Sequence, residues 1–289
     1  MDYILEVEDL NKKLGYEDRN SFELEDVSFK LKPGYIMGFI GPNGSGKTTT
    51  IKLIMNLLKK DSGSIKIFGK DNVDFEKEVK DRIGFVYDQS NFYEELDMEE
   101  MTSIVAPFYS KWDEEVYQSY MERFKLDERQ TIKSLSKGMK TKYALAIALS
   151  HHADLIIMDE PTSGLDPVFR REILEILQEI ILDEDKSIFF STHITTDLDK
   201  IADYITYIDQ GKIRLSQSKE SLTDQYRLVK GGKEDLEKIG RENIIGIKES
   251  GFGFEGLIES ELVKDYQNLD LVLDPPILED IMYYMREVD

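Results

Sequence analysis

The sequence predicts an α/β fold: a mixed, mainly parallel sheet with helices on both faces, followed by a small α+β appendage. Three observations predict it. An apolar run at residues 35–40 leads through a glycine-rich loop into a helical pattern. Apolar runs of strand length then alternate with helical patterns as far as about Gly211, and such alternation builds parallel sheets because each crossover needs a helix. Beyond Gly211 the segments are short and mixed, punctuated by Gly231-Gly232 and Pro275-Pro276. The 289 residues accommodate one large and one small domain, with the division expected at 1–215 and 216–289.

Each element follows from its residues. Residues 5–31 read as strands separated by a polar insertion at 17–20. Ser21-Phe22-Glu23-Leu24-Glu25-Asp26-Val27-Ser28-Phe29 alternates with period two, as a half-buried strand does. Pro33-Gly34 makes a turn. Residues 47–60 carry Ile51, Ile54, Met55 and Leu58 at helical spacing. Ser64-Ile65-Lys66-Ile67-Phe68 and Ile83-Gly84-Phe85-Val86-Tyr87 are further strands. From Met98 to Phe124 the pattern is helical, and Phe108, Tyr109, Trp112, Tyr117, Tyr120 and Phe124 build a local core there. Lys137 to His151 is a helix rich in Ala and Leu. Asp154-Leu155-Ile156-Ile157-Met158-Asp159-Glu160 is an apolar strand ending in two carboxylates. An amphipathic helix over 169–182 and the strand Ser187-Ile188-Phe189-Phe190-Ser191 follow.

The chemistry concentrates at the strand ends. Gly41-Pro42-Asn43-Gly44-Ser45-Gly46-Lys47-Thr48 fits the Gly-x-x-x-x-Gly-Lys-Ser/Thr phosphate loop at every fixed position. Glycines let successive backbone N–H groups converge on one anion. A loop between strand and helix also sets that anion at a helix N-terminus, where N–H groups have no intrahelical partner. Lys47 is expected to neutralise β- and γ-phosphate oxygens, and the Thr48 hydroxyl to hold Mg²⁺. Asp159 closes an apolar strand, where it can hold the same ion. Glu160 follows with its side chain in a different direction, and so is the candidate base for an attacking water.

Composition bounds the partners. The formal charge of −21 argues against nucleic acid, whose binding needs basic surface. The absence of cysteine excludes disulfides and thiol chemistry. No apolar run approaches the ~18 residues needed to cross a bilayer, and the acidic start Met1-Asp2-Tyr3-Ile4-Leu5-Glu6 lacks a signal-peptide pattern. Work at a membrane is therefore expected to need another chain for the span.

Residues 41–49, Leu135-Ser136-Lys137-Gly138-Met139, 155–161, Ser163-Gly164-Leu165-Asp166 and Ser191-Thr192-His193 stand in this order. Together they resemble the ATP-binding cassette of ABC transporters over residues 1 to about 215. The resemblance implies a P-loop cassette with an antiparallel β subdomain and an inserted helical subdomain at about 90–150. It extends the nucleotide contacts through Thr49 and implies ATP and Mg²⁺ as cofactors. Leu135-Ser136-Lys137-Gly138-Met139 resembles the signature usually written Leu-Ser-Gly-Gly-Gln, with Lys137 for Gly and Met139 for Gln. It implies that Ser136, Lys137 and Gly138 serve the nucleotide of a second cassette, identical or not, in a head-to-tail dimer. Asp166 resembles the loop that communicates across that seam, and His193 the switch histidine that helps Glu160 place water. The family's Gln position aligns with Asp88, with Gln89 as its rival; either can reach the metal or the attacking water. The aromatic that stacks on adenine is assigned to Tyr16, with Leu14 and Phe22 as alternatives.

The same resemblance implies an ATPase that drives a separate transmembrane permease from the cytoplasmic face of the membrane, as exporters of peptides, antimicrobials or ions do. Phe92, Tyr93 and Leu96 either contact that permease or pack on the helical subdomain. Two other readings compete: a soluble cassette ATPase without a transport role, and a weakly hydrolysing regulatory cassette.

Overall fold

The computed structural model describes residues 2–15, 22–87, 92–183 and 185–286. The chain starts with strands β1 (Leu5–Leu14), β2 (Phe22–Leu31) and β3 (Ile36–Ile40), helix α1 (Lys47–Ile54), strands β4 (Ser62–Ile67) and β5 (Lys70–Asp71), helix α2 (Glu76–Lys80) and strand β6 (Ile83–Val86). Helices α3 (Met98–Val105), α4 (Glu114–Phe124) and α5 (Lys137–Leu149) come next, then β7 (Leu155–Asp159), α6 (Pro167–Ile180), β8 (Ser187–Thr192), α7 (Thr195–Ile201), β9 (Tyr204–Asp209) and β10 (Lys212–Ser218). The remainder is α8 (Lys219–Gln225), β11 (Tyr226–Gly231), α9 (Lys233–Ile239), β12 (Ile245–Glu249), β13 (Phe254–Glu259), β14 (Val272–Asp274) and α10 (Leu278–Arg286). These elements divide into two compact units, 1–194 with 206–216, and 195–205 with 217–289.

In the first unit the larger sheet runs β10-β9-β3-β8-β7-β6. Its pairs β3–β8, β8–β7 and β7–β6 are parallel. Strands β3, β7 and β8 are buried at every position, which is why they read as continuous apolar runs rather than alternations. Phe39 and Phe189 meet at 5.2 Å between ring centroids, and Phe29 lies 5.3 and 5.6 Å from them. Each such side chain contributes about 1.5–3 kcal/mol on burial, with up to about 1.5 more from a well-set ring pair. Parallel pairing has one consequence that governs the site: β3, β7 and β8 finish at the same sheet edge. Ile40 stands opposite Thr192, and Asp159 opposite Ser191. The loops that follow these strands must therefore converge.

The smaller sheet, β2-β1-β4-β5, is antiparallel throughout. The alternation expected along β2 shifts at Asp26, which takes φ 49°. The partner strand shifts register between Val7 and Leu10. Asn11 fixes this bulge: its side chain accepts the Asp26 N–H and donates to the Asp26 carboxylate. The bulge lets Leu24 and Val27, three apart, both face inward.

Two helical expectations were too long. α1 stops at Ile54, and Asn56 turns the chain at φ 50°. The stretch from Met98 to Phe124 is two helices, broken after α3 by a short 3-10 turn holding Pro107. Asp97 and Glu100 close a capping box on α3, and Asp113 caps α4. Inside this helical layer Thr102 meets the hydroxyls of Tyr117 and Tyr143 at 2.9 and 2.8 Å. Burial pushes both phenols well above their ordinary range.

The second unit carries the antiparallel sheet β12-β13-β11-β14. Val229, Leu236, Ile239, Ile244, Phe254 and Ile258 form its core.

The β9–β10 turn supports the phosphate loop from behind. Gly211 donates its N–H to Ser45 O and accepts from Glu25 N, both at 3.0 Å. It sits at φ +77°, and a Cβ there would lie 1.8 Å from Glu23 O. Left-handed strain alone costs about 1–3 kcal/mol for an L residue, and backbone must also move. Gly211→Ala is therefore expected to lower the thermal midpoint by ~2–12 °C. An unchanged midpoint would contradict this packing.

Candidate functional site

The candidate site is a cleft of about 590 Å³ at the shared edge of β3, β7 and β8, with Lys47, Thr48, Glu160 and His193 in its wall. The loop after β3 is shaped by Gly46, which takes φ 114° and starts α1. That conformation is open to glycine and costly for other residues. It aims the free N–H groups of the first helical turn into the cleft. Lys47 is nearly buried and donates from Nζ to Gly41 O at 2.8 Å and to Pro42 O at 3.2 Å. The same ammonium lies 3.2 Å from Glu160 Oε1. Ser45 Oγ is buried in this loop with no hydrogen-bond partner.

The carboxylates at the end of β7 take separate directions. Asp159, 1% exposed, turns inward. Its Oδ2 accepts from Thr48 Oγ1 at 2.9 Å, and its Oδ1 from Ser191 Oγ at 2.6 Å. Glu160 leaves the strand at φ 50°, a strained value for a side chain of its type. Its N–H is held by Ser191 O at 3.0 Å and Ser191 Oγ at 3.3 Å. The reversal swings its carboxylate into the cleft, where Oε2 meets His193 Nδ1 at 2.7 Å.

These donors fit a nucleotide with a divalent ion. Backbone N–H groups at a helix start and an ammonium suit polyphosphate oxygens. Thr48 Oγ1 and Asp159 Oδ2 are close enough to ligate one ion. Two oxygen donors from protein are what Mg²⁺ usually takes when phosphates and water complete its octahedron.

Comparison with known proteins agrees with the geometry. The ABC transporter family model matches residues 24–163. The bacitracin transport ATP-binding protein BcrA of Bacillus licheniformis is 32% identical over 215 residues, 74% of this chain and 69% of BcrA. The chain belongs to the ABC transporter ATP-binding proteins. Among solved structures, an ATP-binding subunit of an ABC transporter superposes with a TM-score of 0.67 at 30% identity, covering 77% of this chain and 92% of that one. CbiO1 of Clostridium perfringens, described as part of the ABC transporter complex cbiONQ, gives 0.64 at 25% identity, covering 77% and 91%. As an ABC ATP-binding subunit, the protein binds ATP, and its activity is ATP hydrolysis coupled to transport. No helix among the described residues is long and apolar enough to cross a membrane.

The ABC motifs do not all meet in one cleft. Gly44, Lys47, Thr48, Thr49, Glu160 and His193 line it. Ser136, Lys137 and Gly138 do not. Ser136 is exposed and caps α5, accepting the Met139 N–H at 3.2 Å. Gly138 packs closely on the Phe169 ring, where an added Cβ would lie 2.7 Å from Cε1. Asp166 caps α6 through the N–H groups of Val168 and Phe169.

Tyr16, Asp88 and Gln89 lie outside the described residues. Leu14 and Phe22 do line the cleft and form its apolar wall. Phe92 packs inward on Tyr143 at 4.9 Å, whereas Tyr93 is 66% exposed. Two residues of the site fall inside quoted motifs but are given no role of their own by the sequence. Ser163 lines the cleft, and Ser191 bridges both carboxylate positions. Only the cross-strand pairing of Asp159 with Ser191 gives the latter a meaning.

Base–aromatic stacking contributes ~1–3 kcal/mol, so Phe22→Ala is expected to weaken binding of a fluorescent ADP analogue by about 5- to 150-fold. Unchanged affinity would move the base platform off Phe22.

Proposed function

We propose that this ABC subunit holds Mg²⁺·ATP in the β3–β7–β8 cleft and hydrolyses it at a seam with a second cassette. The closing of that seam drives a separate membrane permease. The observation that carries this is the convergence on Glu160. One carboxylate, on a strained backbone, is gripped by Lys47 and His193 beside the Thr48–Asp159 pair.

The roles follow from the chemistry of each group. Lys47 can turn its ammonium from the carbonyls of Gly41 and Pro42 to β- and γ-phosphate oxygens. Thr48 and Asp159 would hold Mg²⁺, which when bound neutralises developing phosphate charge. Glu160 orients the attacking water and accepts its proton, and His193 steadies the carboxylate through Nδ1. Ser136, Lys137 and Gly138 lie away from the cleft of their own chain, which supports a role toward the nucleotide of a partner. ATP held from both sides adds contacts found only in the closed pair, and that difference shifts the population toward closure.

The second cassette, identical or not, and the permease are the proposed partners. The cytoplasmic face of the membrane is the proposed location. The cbiONQ description of one relative supports a multisubunit assembly. BcrA's name, bacitracin transport, supports export of a peptide antimicrobial or a related substrate.

Removing a general base costs about 10²–10⁴ in rate. Glu160→Gln is expected to lower kcat by at least ~100-fold while an ATP-bound dimer accumulates on size-exclusion chromatography. Retained turnover would reject Glu160 as the base.

A further inference from the structure

We infer that Ser191 is a positioning residue for the ATPase site, setting both the metal-facing carboxylate of Asp159 and the backbone turn that aims Glu160. The inference rests on the proposed roles of those two acids and goes one layer outward from them. Ser191 is the penultimate residue of β8, fully buried, and pairs in parallel register with Asp159. Its hydroxyl does two jobs. It donates to Asp159 Oδ1 at 2.6 Å and accepts the Glu160 N–H at 3.3 Å, beside the 3.0 Å bond to its own carbonyl.

The first bond fixes the rotation of the Asp159 carboxyl. With Oδ1 engaged by Ser191, Oδ2 is left facing Thr48 at 2.9 Å, so one oxygen is committed to the fold and the other to the cleft. A hydrogen bond to a charged oxygen is short and strong, and such partners behind a ligand orient it and tune its affinity. The second bond restrains strain. Glu160 at φ 50° persists only where its surroundings over-determine it, and two acceptors from one serine do so. The chain then runs two residues on to His193, which receives the Glu160 carboxylate. One hydroxyl thus ties the metal-facing carboxylate of Asp159 to the backbone of Glu160.

An alternative at this position would fill the same volume without the bonds. Valine or alanine would pack, but would leave the Asp159 oxygen buried with one partner fewer.

The test separates the hydrogen bonds from the volume. Ser191→Ala removes the hydroxyl, and Ser191→Cys keeps the size with a weak donor. Each protein is checked for an unchanged melting profile and loaded with a non-hydrolysable ATP analogue. Mn²⁺ is then titrated while the electron paramagnetic resonance of free Mn²⁺ is followed. Both variants are expected to bind Mn²⁺ about 10- to 100-fold more weakly. Their affinity for the analogue without metal should stay that of the wild type. Wild-type Mn²⁺ affinity in the alanine protein, or in the cysteine protein, would overturn the assignment. So would a matching loss of metal-free analogue binding, which would report general damage to the cleft. Failure of the underlying reading looks different, because replacing Asp159 itself by alanine would then leave Mn²⁺ affinity at the wild-type value.

Discussion

The site depends on one constraint, the parallel register of three fully buried strands. Because β3, β8 and β7 run side by side in one direction, the phosphate loop, the paired carboxylates and the histidine emerge at one edge. The contacts of Asp159 with Thr48 and Ser191, and of Glu160 with Lys47 and His193, depend on that alignment. The hydrophobic term that drives it is large and non-directional. Direction comes from the ladder, which sets Asp159 opposite Ser191 and Ile40 opposite Thr192. A slip by one residue would turn Asp159 to the other face and put an apolar neighbour in its place.

Strain is placed where chemistry is proposed. Several residues besides glycine take positive φ, most of them in turns or at helix ends. Glu160 is the one among them that borders the cleft. Its backbone reversal separates two consecutive acids, so that Asp159 turns to Thr48 and Glu160 to Lys47 and His193. Like charges on neighbouring residues would otherwise compete for the same cations. Here each carboxylate has its own donors: hydroxyls for the buried one, an ammonium and an imidazole for the one in the cleft.

Much of this was legible in the sequence, and for physical reasons. The phosphate loop is local: its glycines, lysine and threonine are adjacent in the chain and need no tertiary context. Apolar runs such as 155–159 announce buried parallel strands because neither face meets water. What the sequence hid was non-local or carried by irregular backbone. The bulge at Asp26 shifts the apolar spacing of β2, and pattern reading smooths over it. The break at Pro107 lies inside a run whose aromatics still fall at helical intervals. Ser191 is an ordinary strand residue until pairing sets it against Asp159. Leu14 and Phe22 stood in the sequence as alternatives for the adenine side, and the antiparallel β1–β2 pair is what sets them opposite each other. Ser136 and Asp166 carry only seam roles in the sequence reading; the structure adds that each caps a helix within its own chain.

The central claim is that the triphosphate is gripped from two chains, by Lys47 of one and Ser136 of the other. The most direct measurement is a structure of the Glu160→Gln protein with ATP and Mg²⁺. The expected result is a head-to-tail pair, with the γ-phosphate between the Lys47 ammonium and the Ser136 hydroxyl of the opposing cassette. Nucleotide enclosed by one chain alone, with every Ser136 facing solvent, would contradict it.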